Sequence, residues 1–405
     1  MRKLYLSAIA LFAGGAMVMA QGNTSDVEQL GVDLDANVNQ FGWGNYSEVL
    51  QDGLLNTADV YQYGFDNTAI THQGIFAAFN YSIIDQEGVG NYAHTDQILA
   101  AADNYADVFQ VGDYNESYIF QGAGALANTA IVTQYGWWNS SSILQNGVFN
   151  WADVYQDGEG NTSSVEQVSG ILGNTAVVTQ IGEYNSSDVT QDGDLLYADV
   201  IQVGYGNNSD VDQVDAFNTA LVYQDGSYNQ SNITQSGLDN FATVEQYGDD
   251  NSSVIEQENE FNTAIVYQDG GYNWSEISQT GYANTADVYS VGYGNGSRVN
   301  QTGDFNYAYV TQYGYDNYSR INQAGLEDDA YVYQDGEGNE SRIFQTANSS
   351  YNYSDVWQVG NYNNSHIIQG LGSDNEAWVT QLGDYNSSNI FQVGFNNIAT
   401  VNQGN

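Results

Sequence analysis

Cysteine and proline are both absent from the 405 residues, and basic side chains nearly so: five Lys and Arg stand against 50 Asp and Glu, a formal net charge of −45. Each shortage excludes something. Without Cys there is no disulfide framework, no thiolate zinc site and no Cys nucleophile. Ordinary usage of about 5% would place roughly 20 prolines in such a chain; their absence suits a molecule in which almost every backbone N–H is needed by a β-ladder. A polymer this acidic does not hold nucleic-acid phosphates or anionic lipid heads through surface charge. The charge resembles that of disordered acidic chains, but 41% hydrophobic residues, 14% aromatic residues and 33 Tyr do not. The composition is that of a structured, acidic, β-type protein.

The first twenty residues read as a secretory signal peptide. Arg2 and Lys3 form a basic start, an apolar run fills 4–12, and small residues lead to Val18-Met19-Ala20 before a cleavage point at Gln21. The apolar stretch is too short to span a bilayer, and no later segment is apolar enough, so no membrane insertion is expected. Cleavage would leave Arg298, Arg320 and Arg342 against 50 carboxylates. The remainder, 21–405, reads as a single repeat domain of an exported protein.

That domain is one motif reiterated. In Asn56-Thr57-Ala58-Asp59-Val60-Tyr61-Gln62-Tyr63-Gly64 the Gln marks an 11-residue unit, and 34 such units fill 23–403. Gln occupies its slot in 33 of them, Ser290 being the exception. Val or Ile stands two residues earlier in 32 units, with Thr71 and Thr95 departing. Asn stands six residues before the Gln in 31 units, replaced by Leu34, Leu196 and Asp328. Ala or Ser lies between. These fixed residues occupy every second position, the period of a strand and not of a helix. The fixed face therefore points inward and the variable face, including Asp59, Tyr61 and Trp378, points to solvent. The expected core ladder includes Asn56, Ala58, Val60 and Gln62, then Asn185, Ser187, Val189 and Gln191. It continues with Ala198, Val200 and Gln202, then Asn207, Ser209, Val211 and Gln213. The Gly-x-x-Asn link between units is turn chemistry.

Two signals set the number of strands per coil. The small inward residue alternates, as in Ser187, Ala198, Ser209, Ala220, so the full repeat is about 22 residues. Six turns are lengthened, after Gln73, Gln97, Gln121, Gln167, Gln345 and Gln369, and all six follow odd-numbered units. Two strands per coil place every insertion on one edge of a stack, and three would scatter them. The expected fold is an all-β, two-stranded-per-coil β-solenoid of stacked β-arches, about 17 coils, with two facing parallel sheets.

One coil buries two Val/Ile side chains, worth roughly 3–6 kcal/mol together, whereas fixing 22 backbones costs on the order of 20 kcal/mol or more. A lone coil cannot fold. Carboxamides stacked about 4.8 Å apart can bond along the stack and satisfy otherwise costly buried amides. Solenoids ordinarily end in polar caps. Here the first unit starts at Asn23 and the last, 397–403, is as regular as any other, so both ends are expected to carry open strand edges.

Units of the type Asn-x-Ala-x-Val-x-Gln-x-Gly-x-x-Asn-x-Ser-x-Val-x-Gln resemble curlin repeats, those of the curli major and minor fibre subunits. The match covers nearly all of 21–405. The resemblance implies a secreted, extracellular, cell-surface functional amyloid of the biofilm matrix, which polymerises with itself. It also implies a nucleator subunit, an outer-membrane secretion pore and periplasmic chaperones as partners. The chain departs from the family pattern in having more repeats and almost no targeting segment ahead of them.

Other constellations are weaker. His72 and His94 are 22 residues apart, hence one coil apart on the outward face at roughly 8 Å, and read as solvated surface histidines in preference to a metal pair; His366 stands apart. Asp157-Gly158-Glu159-Gly160-Asn161 and Asp335-Gly336-Glu337-Gly338-Asn339 have part of a calcium-loop pattern but read as polar turns. Asn45-Tyr46-Ser47 matches the glycosylation pattern with both residues facing inward. Arg298, Arg320 and Arg342 form one outward column preceded by Glu276, read as local charge balance more readily than as a carboxylate trap. Exposed aromatics could bind sugars or dyes, with β-propensity as the ordinary reason for them. No catalytic residue, metal site or cofactor is assigned. A polysaccharide lyase on a β-helix would want basic residues and a loop-built cleft. A monomeric ice-binding or adhesive solenoid would want regular outward Thr rows and capped ends. A minor, nucleating subunit is the remaining alternative to a bulk fibre subunit.

Overall fold

The computed structural model describes residues 22–404, and the expected signal segment 1–20 lies outside them. Among the described residues every regular element is a β-strand, and no helix is long and apolar enough to cross a membrane. The chain falls into two compact units, one ending at Val200 and the other starting at Ile201.

In the first unit Thr24–Val32 pairs in parallel with Tyr46–Leu54, passing over Asp35–Trp43, which pairs instead with Thr57–Phe65. The next-but-one pairing continues up to Thr162–Val168 with Ser186–Asp194. In the second unit Thr219–Ser227 pairs with Phe241–Asp249, and Gln230–Leu238 with Ser252–Glu260. Each unit is thus a two-strand-per-coil β-solenoid with two facing parallel sheets, about 17 turns counting both. Registers match Asn, Ala/Ser, Val/Ile and Gln to their own kind one coil on, for example Ala130 to Ala152, Val132 to Val154 and Gln134 to Gln156.

The lengthened turns behave as their odd numbering requires. Those after Gln73, Gln97, Gln121 and Gln167 all leave one sheet of the first unit. Those after Gln345 and Gln369 leave one sheet of the second. Where a turn grows, the coil grows to 23 or 24 residues, so that Gln73 faces Gln97 and Gln369 faces Gln392.

The ordinary corner can be read at Gly64-Phe65-Asp66-Asn67. Gly64 has φ +131°, and a Cβ on it would sit 2.0 Å from the carbonyl oxygen of Gly88 in the next coil. Glycine is therefore demanded by stacking as well as by the bend. Asp66 is left-handed at φ 55°, a conformation uncommon outside glycine. The corner keeps it because the Asp66 N–H donates to Trp43 O at 3.0 Å, continuing the ladder around the bend.

Candidate functional site

The repeated inward face is the feature common to all coils. Asn56, Ala58, Val60 and Gln62 are at most 1% exposed, and Asn185, Ser187, Val189 and Gln191 at most 2%. Ala198, Val200, Gln202, Asn207, Ser209, Val211 and Gln213 are buried as well. Aliphatic and amide side chains share this core because the amides bond along the columns, as Gln62 does to Gln86 and Asn80 to Asn56.

The Gln ladder runs one way. Gln62 Nε2 donates to Gln86 Oε1 at 2.9 Å, Gln86 to Gln110 at 2.9 Å, and Gln110 to Gln134 at 2.8 Å. In the second unit Gln202 donates to Gln224 at 2.9 Å and Gln213 to Gln235 at 2.8 Å. The same Nε2 groups tie the sheets together, since Gln62 also donates to Tyr46 O at 2.9 Å across the core. The Asn ladder runs the other way. Asn80 donates its backbone N–H and Nδ2 to Asn56 Oδ1 at 3.1 and 3.3 Å. Asn185 does so to Asn161, both at 3.1 Å, and Asn229 to Asn207 at 3.0 and 3.1 Å. Each Asn closes a corner as well, as Asn67 Nδ2 does on Gly88 O at 3.0 Å.

Within each unit the columns therefore have a direction, and the first coil of the first unit and the last coil of the second expose complementary groups. On the Asn23 side, Gln29 and Gln40 donate inward to Gln51 and Gln62 at 2.7 and 2.8 Å, turning their Oε1 atoms outward along the column. Asn23 Nδ2 has no hydrogen-bond partner there. On the far side Gln381 donates to Gln403 at 2.8 Å, so Gln403 continues its column with Nε2, and Gln392 does likewise. Asn386 and Asn397 receive nothing along the column from a further coil among the described residues, and present Oδ1.

Departures from the repeat are compensated to different degrees. Thr71 and Thr95 stand where Val or Ile is usual, and Ser82 where the facing column has Ala. Their hydroxyls close a buried triangle of 3.3, 2.7 and 3.2 Å. At Ser290 the Gln column is interrupted: Gln268 Nε2 turns to Ser275 Oγ at 3.0 Å, and Ser290 Oγ donates to Gln312 Oε1 at 3.2 Å. Asp328 sits in the Asn column fully buried. Its Oδ1 accepts from Asn352 N and Nδ2 at 2.9 and 2.8 Å, and Ser349 Oγ donates to Oδ2 at 3.3 Å. Burial pushes this carboxyl up to about 6, against the pull of the Asn352 bonds.

On the outward face the Arg column stands in register, Glu276, Arg298, Arg320, Arg342 and then His366. Arg298 pairs with Glu276 and Arg342 with Glu340. Arg320 lies 5.5 Å over the ring of Phe344. Of the calcium-like segments, Asn161 and Asn339 spend their Oδ1 atoms on Asn185 and Asn363. Asn45 and Ser47 are fully buried. Outward aromatics also form a continuous run that passes back and forth between two neighbouring columns, through Tyr223, Tyr247, Tyr267, Tyr289, Tyr313, Tyr333 and Trp357, with centroid separations of 4.0–5.9 Å.

The histidines differ from the sequence reading. The lengthened turn after Gln73 makes the local coil 24 residues, so Asp96, and not His94, stands opposite His72. His72 Nδ1 and His94 Nε2 both point at Asp96 Oδ1, at 3.0 and 2.9 Å. Both histidines are partly covered, the His72, His94 and Asp96 side chains being 30%, 18% and 12% exposed. Glu48 and Tyr118, in the coils on either side, complete the cluster. Adding 24 to 72 across the lengthened turn would have found Asp96 from the sequence.

The Curlin associated repeat matches the sequence at 31–64, 101–136, 139–168, 229–258, 262–292, 294–325, 352–383 and 372–404, more than half of the chain. No curated protein matches it.

Proposed function

The chain belongs to the curlin-repeat family, and from that premise we propose that it is a secreted structural subunit that assembles end to end into curli-like amyloid fibres of the extracellular matrix. The observation that carries this reading is the opposed direction of the two amide ladders. When the Asn397 side of one copy meets the Asn23 side of another, Gln392 and Gln403 Nε2 face Gln29 and Gln40 Oε1. Asn23 Nδ2 then faces Asn386 Oδ1, and only the column joining Asn397 to Leu34 lacks its side-chain bond, the backbone N–H of Leu34 remaining free to donate as that of Leu196 does to Asn174 Oδ1. If two Asn23 sides met with like columns aligned, Gln Oε1 would face Gln Oε1 and Asn23 Nδ2 would face Asn23 Nδ2, leaving amides unpaired in a buried seam at a cost of about 1–3 kcal/mol each. A second copy docked head to tail extends both sheets without an edge.

On this reading 1–20 direct export, 21–405 form the mature repeat domain, and the role is structural, not enzymatic. The family implies a nucleator subunit, a secretion pore and periplasmic chaperones as partners. Electron microscopy and fibre diffraction of the purified mature chain test the assembly. Unbranched fibrils with reflections near about 4.8 and 10 Å are expected. A chain that stays monomeric for days at micromolar concentration and neutral pH rejects it.

A further inference from the structure

We propose that His72, His94 and Asp96 form a binding site for a late first-row transition-metal ion of the Zn2+ type. The inference goes beyond fibre formation and does not depend on it, since all three side chains lie within adjacent coils of one unit.

The donor atoms converge. One ligand atom from each residue lies within 4.8 Å of the others, with Asp96 Oδ1 at 3.0 Å from His72 Nδ1 and 2.9 Å from His94 Nε2. Ligands about 2.0–2.1 Å from a tetrahedral Zn2+ stand about 3.3 Å apart, so small side-chain rotations open the triangle around an ion. Two imidazole nitrogens and one carboxylate oxygen, with a fourth position toward solvent, suit Zn2+, Co2+ or Ni2+ better than the hard, oxygen-seeking Ca2+ and Mg2+.

The surroundings are those of ligands held in place. Metal-binding histidines commonly donate their other ring N–H to a carboxylate or another oxygen, which fixes ring and tautomer. Here His72 Nε2 faces Glu48 Oε1 at 3.7 Å, and it is buried with no other partner. His94 Nδ1 lies 3.5 Å from Tyr92 Oη. Asp96 turns its second oxygen to Tyr118, whose hydroxyl donates to Oδ2 at 3.0 Å. The rings of His72 and Tyr118 meet His94 edge-on at 5.2 and 5.1 Å, limiting its rotation. Each of the three ligands thus has its own outer partner, drawn from Tyr46–Leu54, Tyr92–Ile98 and Glu116–Leu126. In the metal-free protein the two ring nitrogens that point at Asp96 close over the place of the ion, and binding would release any proton carried on them.

The test is calorimetric titration of the purified mature chain with Zn2+ alone, in excess Mg2+ to fill sites made only of carboxylates. One Zn2+ per chain is expected to bind above that background. His94→Ala and Asp96→Asn should each weaken binding at least about 10-fold, Tyr118→Phe about 10-fold, and His366→Ala not at all. Should a variant misfold, the unaltered chain gives an independent reading. Bound Zn2+ should protect His72 and His94, and not His366, from carbethoxylation, and Co2+ should give the strong visible bands of a four-coordinate site. No saturable uptake over Mg2+, equal affinity in His94→Ala, or equal modification of all three histidines overturns the proposal.

Discussion

Val200 and Ile201 are neighbouring β-branched aliphatics, yet Val200 is wholly buried and Ile201 is half-buried on the outward face. The alternation of the strand makes them unequal. Val200→Asp places a carboxylate between two dry sheets with no partner, a penalty of several kcal/mol, about 3 or more. Ile201→Asp adds one charge to an already acidic surface and should cost within about 1 kcal/mol. Urea unfolding of the two soluble variants checks this, and equal loss in both would reverse the assignment of faces. Ser290 offers the opposite case. Gln268 and Gln312 stand in register on either side of it, so Ser290→Gln should restore the column and stabilise the chain by about 1 kcal/mol. A fall in the unfolding midpoint would show that the neighbouring side chains have closed over the space.

Strands act here as rungs, so an uneven rung is felt by both neighbours. Asp328, just ahead of Asp329–Glu337, cannot return the Nδ2 donation that an Asn would make to Asn306, and its buried carboxyl titrates near about 6. Its pKa is raised on folding from 3.8. Protonation therefore favours the fold: the contribution is complete below the unfolded value and is lost as pH rises through about 6. Asp328→Asn should stabilise the chain near neutral pH by on the order of 2–3 kcal/mol, with the gain vanishing in mild acid. Urea midpoints at both pH values decide it, and a gain independent of pH would mean that the ladder bond, and not the charge, is responsible.

At the scale of the molecule, some acidic side chains face a neighbour of the same sign one coil on. Asp26 lies opposite Glu48 and Glu159 opposite Glu183, whereas Asp225 meets Tyr247 and Tyr331 meets Asp355. Unit charges about 4.8 Å apart in water repel by roughly 0.9 kcal/mol, and salt screens them. Burial raises the carboxyls of Asp107, Asp153, Asp287 and Asp355. By the same sign as Asp328 they add stability as pH falls from neutral toward the ordinary carboxylate range. Asp96 has the opposite sign. Burial opposes the shift, but the bonds from His72 and His94 hold its carboxyl well below 3.8, so its contribution is lost only in stronger acid. Assembly should therefore quicken with added salt and with mild acidification. Light scattering across a salt series and a pH series checks both, and slower growth in salt would contradict the repulsion argument.

The solenoid itself was legible in the chain because an 11-residue period with one invariant face leaves a strand-turn stack little freedom. The odd-numbered insertions then select two strands per coil. Unpaired amides in a core are so costly that Gln62 and Asn56 could be placed inward before any coordinate was known. The direction of the ladders was not legible, because a carboxamide reads the same in sequence whichever end donates. Only stacking decides that Gln columns and Asn columns run oppositely. The environment of His72 was likewise settled in three dimensions, since two extra turn residues shift the outward partner from His94 to Asp96 while leaving the inward columns in step. The repeat determined what is buried; the lengths of the corners decided which outward side chains meet.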